Sequence, residues 1–146
     1  MNDQEKREKN KALLREQYER LMEIAVAGRC EIEKFFTDDV VMELPFLNVK
    51  SVGLDNMIGA VQSVAQNFER YGLRSMTFYD CTDPDTLIYE AEADAIFRHS
   101  GEVYPQRYIN IVQFCDGKIR RNVEYMNVGL LAGFPPQPEL ARRTAQ

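Results

Sequence analysis

Residues 114–128 read FCDGKIRRNVEYMNV. Asp116-Gly117 is a two-residue hairpin signal, and the run after it, Lys118 to Asn127, alternates with period two. Asn122, Glu124 and Met126 share one face, while Val123, Tyr125 and Asn127 share the other. A strand with a carboxylate in the middle of one face therefore closes the sheet. Upstream, Val103 to Phe114 alternates in the same way. Tyr104, Gln106, Tyr108, Asn110 and Val112 lie on one side, and Arg107, Ile109, Ile111 and Gln113 on the other. Ser100-Gly101-Glu102 suits a turn back to a strand over Thr86–His99, and Asp83-Pro84-Asp85 separates that strand from Leu73–Asp80. Long consecutive antiparallel strands end the domain.

The first half has a different period. Leu14, Tyr18, Leu21, Met22 and Ala25 recur at helical spacing among Lys, Arg and Glu, with Gly28 as a stop; Glu31 to Phe36 adds a short second helix. Val40, Met42 and Leu44 then share one face of a short strand that Pro45 interrupts. Met57, Ile58, Val61, Val64, Ala65 and Phe68 stripe a third helix over Asp55–Phe68. Helices first and long strands last predict an α+β domain in which N-terminal helices cover one face of a curved antiparallel sheet. One domain over 1–146 is expected, with a core over about 10–130. The Pro-rich tail, 131–146, should wrap over the surface or frame a pocket mouth.

Composition narrows the function classes. Eighteen Lys and Arg against 23 Asp and Glu give a net charge of −5, which offers no basic footprint for nucleic acid or anionic lipid. No apolar run reaches the roughly 20 residues of a membrane span, and the charged opening MNDQEKREKNK is unlike a secretory signal. Cys30, Cys81 and Cys115 form no CxxC pair, and His99 has no neighbouring ligand set, so no metal site is expected. These features predict a cytoplasmic protein.

The strand over Thr86–His99 is the hardest to orient. Tyr89, Ala91, Ala93, Ala95 and Phe97 alternate with Ile88, Glu90, Glu92, Asp94 and Ile96. Periodicity alone favours packing the alanine face and leaving Glu90, Glu92 and Asp94 in water.

The segment N-x-E-Y-M-N-V after the DG hairpin, the opening EKREKNKALL, the FFTDD before the first strand, the D-P-D turn and YPQRYINIVQF together resemble the PhzA/PhzB phenazine-biosynthesis family. That family is a branch of the SnoaL-like and nuclear-transport-factor-2-like superfamily, and the resemblance spans almost the whole chain. It implies a cystatin-like curved sheet, the SnoaL-like α+β barrel, around one cone-shaped pocket. It places Glu124 where the phenazine proteins carry an acid–base carboxylate. By the same frame Met42, Leu44, Tyr104, Gln106, Tyr108, Asn110, Asn122 and Met126 turn inward, and so do Glu92 and Asp94, against the periodicity. Asp94 matches an aspartate of the related limonene epoxide hydrolases, but Glu92 stands where those enzymes carry arginine, which argues against epoxide hydrolysis. Arg74 stands where the phenazine enzymes carry histidine. Arginine cannot shuttle protons near neutral pH, so it is expected either to anchor an anionic substrate group or to pair with Glu92 or Asp94.

The resemblance thus implies a cofactor-free isomerase, cyclase or condensing enzyme of secondary metabolism, acting on a small, cyclic or aromatic molecule. Glu124 and Asp94 would be catalytic; Arg74, Tyr108, Asn110, Glu92, Gln106, Asn122, Met42, Leu44 and Met126 would bind substrate. The competing reading is a non-catalytic module that binds a small molecule or a protein through the same cavity. Because Tyr89, Phe97, Ile109, Ile111, Val123 and Tyr125 are assigned to the outer face, a homodimer is expected.

Overall fold

The computed structural model describes residues 1–133. The Pro-rich tail beyond 133, expected to wrap over the surface or frame a pocket mouth, lies outside the described residues. Helix α1, Asp3–Glu19, starts at a capping box: the Asn2 side chain accepts from the Glu5 N–H at 2.8 Å, and the Glu5 carboxylate accepts from the Asn2 N–H at 3.1 Å. The single long helix expected here breaks at Arg20 (φ −109°, ψ 13°) and resumes as α2, Leu21–Ala27. Gly28, at φ 86°, ends α2, and α3 is one turn, Arg29–Ile32.

Strand β1 runs Phe36–Leu44. A 3₁₀ turn over Pro45–Leu47 and Asn48 in the left-handed region (φ 53°) fold it back into β2, Val49–Val52. Four residues give too few alternations to reveal β2 in the sequence. Helix α4, Leu54–Asn67, leads into β3, Phe68–Asp80, β4, Thr86–Phe97, β5, Arg107–Cys115, and β6, Lys118–Met126. β5 starts later than expected because Pro105 has no N–H for a ladder.

The sheet order is β2-β1-β6-β5-β4-β3. Its neighbours are antiparallel except β1 and β6, which are parallel, and β2 and β3 form open edges, so the sheet curves without closing into a barrel. The helices cover one face. Leu14, Leu21, Ile24, Ile58 and Val61 pack there on Leu87, Tyr89, Ala91 and Val112.

That packing fixes which way β4 faces. Tyr89 and Ala91 are buried against the helices, and Ala93, Ala95 and Phe97 are buried on the same face in a second cluster with Phe68, Tyr104 and Tyr108. Glu92 and Asp94 therefore point to the opposite, outer face. The inward placement implied by the resemblance is overturned, and the periodicity is followed. Arg74 is outside as well. Arg74 pairs with Glu92 in register but Thr77 with Glu90, so Ser75 and Met76 oppose a single residue; Ser75 is left-handed at φ 56°. This β-bulge swaps faces. Tyr71 and Leu73 point inward before it, and Met76 and Phe78 after it, leaving Arg74 on the solvent side.

Candidate active site

The register sets the inner wall of the sheet. Met42 of β1 lies beside Asn122 of β6 and Val112 of β5. One step along, Glu124, Asn110, Tyr89 and Phe78 form a row across four strands; one step further come Met126, Tyr108 and Ala91. Leu44, half-buried, follows Met42 on the same face of β1.

Glu124 is the centre of this wall. Protein encloses its carboxylate, and its pKa is raised from 4.5 to about 7 because burial penalises the charged form; the hydrogen bond from Asn110 opposes the rise. The residue is nonetheless only half-buried by accessible surface. Met42, Asn122 and Met126, on the same face, are half-buried too. Depth combined with remaining accessibility makes this a recessed, still reachable part of the inner wall.

One amide bonds the carboxylate, and a second holds that amide. Asn110, fully buried, donates through Nδ2 to Asn122 Oδ1 at 3.0 Å and to Glu124 Oε1 at 3.4 Å. The acceptors on that side fix which way the amide is turned. Its carbonyl oxygen has no partner among the described residues.

Five phenols surround the carboxylate, and its charge raises the pKa of each: Tyr18 from α1, Tyr71 from β3, Tyr89 from β4, Tyr104 from the loop before β5, and Tyr108 from β5. Desolvation is the larger cause for all five, so all stay protonated at neutral pH. They form two hydroxyl pairs, Tyr71 with Tyr108 at 2.7 Å, and Tyr89 donating to Tyr18 at 3.0 Å. Tyr18, having accepted, keeps its own proton to donate. In the other pair Tyr108 also bonds the Tyr104 hydroxyl, so three phenols share one chain of hydrogen bonds.

The structure therefore brings together Glu124, Asn110, Asn122, Tyr108, Met42, Leu44 and Met126 and separates the rest. Asp94 accepts from Arg70 at 2.9 Å and Glu92 from Arg74 at 3.4 Å, on the outer face, with Arg70 and Arg74 59% and 60% exposed and both acids 43% exposed. Gln106 is also corrected as a ligand contact. Its amide is used up inside the protein: Nε2 donates to Tyr104 Oη at 3.0 Å and to the Asn127 carbonyl at 2.9 Å, and Oε1 accepts from the N–H groups of Asn127 and Arg107. It ties the start of β5 to the end of β6. Tyr18, Tyr71 and Tyr89 were missed. Tyr89 shares its face with the alanines, and that signal was available; Tyr18 reads equally well as helix core, and the bulge hides Tyr71.

Among the described residues no three His, Cys, Asp or Glu side chains are grouped to hold a metal ion, and no helix is long and apolar enough to cross a membrane.

Curved sheet, covering helices and a carboxylate on the inner wall define a SnoaL/nuclear-transport-factor-2-like fold, and comparison with solved structures agrees. A phenazine biosynthesis-related protein of Pseudomonas aeruginosa superposes with a TM-score of 0.71 at 19% identity, covering 92% of each chain. A candidate isomerase of Bacillus subtilis gives 0.69 at 22% identity over 90% of this chain and 93% of the other. A steroid delta-isomerase of P. aeruginosa gives 0.60 at 17% identity over 94% and 89%. No protein-family model matches the sequence, and no curated protein does. At these identities the likeness establishes the fold, among neighbours that include isomerases and cyclases.

Proposed function

We propose that this chain is a cofactor-independent acid–base enzyme of the isomerase, cyclase or condensing type, acting on a small ring compound with Glu124 as proton carrier. One observation carries the reading: a carboxylate enclosed by protein, raised to about 7, and ringed by phenols that remain neutral donors. A carboxyl with a pKa near ambient pH is half ionised, so it can accept a proton from carbon or nitrogen and return it elsewhere on the molecule. Phenol hydroxyls on the same wall would donate to the negative charge that develops on an oxygen of the substrate as the proton leaves. Asn110, which also donates to Asn122, would orient the carboxylate.

The test is proton exchange on a simple ketone. Proton NMR of 2-tetralone in deuterated buffer follows loss of the hydrogens next to the carbonyl. The protein is expected to accelerate that loss above buffer, and Glu124→Gln to abolish roughly 10²–10⁴ of the acceleration. Exchange at the buffer rate with saturating protein, or an equally active variant, would sink the reading in favour of a binding module.

We further infer that two copies pair through the outer face of the sheet. Tyr89 and Phe97, expected there, are buried inside, and Val123 is buried too. Ile109 remains exposed beside half-buried Ile111 and Tyr125, and exposed Phe46 packs edge-on against Tyr125 at 5.4 Å. Light scattering at high micromolar concentration is expected to return twice the chain mass; a monomer mass would refute pairing.

A further inference from the structure

The opening run EKREKNKALL and the D-P-D turn, two stretches with no part in the site described so far, meet each other in the fold. Lys6 Nζ lies 3.7 Å from Asp85 Oδ2, and Arg7 Nη2 donates to the Cys81 and Thr82 carbonyls at 3.0 and 3.4 Å. Asn10 Nδ2 donates to the Pro84 carbonyl at 3.4 Å and to Asp85 Oδ1 at 3.3 Å, and Lys11 Nζ lies 2.9 Å from Asp80 Oδ1. All of these bonds join the first half of α1 to the turn between β3 and β4. The other half of α1 reaches the inner wall. Its Tyr18 accepts from Tyr89, and its Arg15 lies 4.9 Å over the Phe78 ring, both in the row that contains Glu124. Its backbone passes β3 at Gly72, where a Cβ would stand 3.5 Å from the Tyr18 carbonyl.

Little else holds α1 down. Of its 17 residues Leu14 is the one fully buried apolar side chain, with Leu13 and Tyr18 half-buried, whereas the 14 residues of α4 bury Leu54, Met57, Ile58 and Val61. Packing of an apolar face supplies most of a helix's attachment, so α1 is the weaker of the two. Two of its buried polar atoms, Arg7 Nε and Gln17 Oε1, have no partner among the described residues. Both would gain water if the helix lifted, which lowers the cost of lifting it. A joint is present as well. At Arg20 (φ −109°, ψ 13°) the chain leaves helical geometry for a single residue before α2 begins. Such a break at the end of a rigid element can absorb a hinge rotation.

We propose that α1 is a hinged cover over the carboxylate, latched to the Asp80–Asp85 turn by Lys6, Arg7, Asn10 and Lys11 and turning about Arg20, and that its release widens the way to the inner wall. The latch residues are positioning residues: their bonds are to the turn, and they act on the site through Tyr18. The cover does not depend on any proton being moved by Glu124.

The experiment is deuterium exchange of the whole chain at pH 7, followed by mass spectrometry, with α1 compared against α4. It is run on the wild type, on the double variant Arg7→Met with Lys11→Met, and on Asp80→Asn, which cuts the latch from the turn and leaves the helix sequence intact. In the wild type α1 is expected to exchange at least roughly tenfold faster than α4, as a locally opening element does. The double variant is expected to speed α1 by roughly a further 10–100-fold, the worth of its charge-assisted bonds, while α4 stays within about twofold. Asp80→Asn should act in the same direction by about threefold, the size of one ion pair near the surface. Carbon-13 NMR supplies the second readout: in the double variant the Glu124 carboxyl should titrate below about 7, toward its ordinary 4.5, because water reaches it. Equal exchange in α1 and α4, or both speeding together in the variants, would mark α1 as a fixed core helix and overturn the proposal. An unchanged Glu124 titration beside a loosened α1 would overturn it too, since α1 would then cover something else. No readout needs a substrate, so absent ketone exchange would leave the cover standing, and a fixed α1 would leave the acid–base reading untouched.

Discussion

Replacing Glu124 by glutamine keeps the side chain's shape and removes its charge, so its effect on stability must change with pH. In the unfolded chain this carboxyl titrates near its ordinary 4.5; in the folded protein it titrates at about 7. Below 4.5 both states hold the proton and the group does not oppose folding. Between 4.5 and 7 only the folded state holds it, so the wild type loses stability as pH rises, and above 7 the loss is complete because the native state then buries a charge. At about 1.4 kcal/mol per tenfold change in proton affinity, the full loss is about 3 kcal/mol. Glu124→Gln escapes it. Urea unfolding of both proteins from pH 4.5 to 8.5 is expected to show the variant gaining on the wild type by about 3 kcal/mol across that range. Other carboxylates shift the other way, Asp83 through the Asp85 N–H and the Thr86 hydroxyl, and Glu31 through Lys34, but both proteins share them and they cancel in the difference. A stability difference that stays constant with pH would show that Glu124 is solvated like a surface glutamate, and the reasoning about the site would fall with it.

Tyr18→Phe removes one hydroxyl donor and leaves the Tyr89 O–H without its acceptor; ketone exchange should slow by about 10²-fold, and urea unfolding should register a loss of about 1–3 kcal/mol. Arg74→Met breaks an exposed ion pair on the far face, so calorimetry should find ketone affinity within about twofold of wild type and stability within about 1 kcal/mol. Gln106→Leu removes the amide that bonds Tyr104, Asn127 and Arg107, and should lower the unfolding free energy by about 3 kcal/mol without abolishing ketone exchange.

Much of the fold was legible because it rests on local pattern. The stripe of Met57, Ile58 and Val61 found its helix, and the DG and DPD turns found the ends of the last strands. The site was legible where alternation ran unbroken: from Tyr108 to Val112 and from Asn122 to Met126 every inward residue was placed on the right face. It failed at two points for physical reasons. The bulge at Ser75 inserts one residue into β3, so Arg74, just before it, faces away from Met76 and Phe78, with which unbroken alternation would group it. Nothing in the residue types there announces a left-handed serine. On β4 the alternation was correct by itself, and the family resemblance turned it over. A row of alanines marks a face pressed by helices, whereas Glu90, Glu92 and Asp94 would each have needed a buried partner. The phenol ring around Glu124 draws on α1, β3, β4 and β5, so no window of sequence contains it.

The parallel seam between β1 and β6 bears on how the protein is made. Met42 docks beside Asn122, about 80 residues further along the chain, and closing that contact is slow compared with forming hairpins or helices. Strand β1 leaves the ribosome early and must wait for its neighbour, while β6 can zip onto β5 through the tight Asp116-Gly117 turn as soon as it is synthesised. Until the two ends meet, Glu124 is an ordinary wet glutamate on an incomplete sheet. Its unusual proton affinity is therefore acquired only when the two halves of the sheet have met.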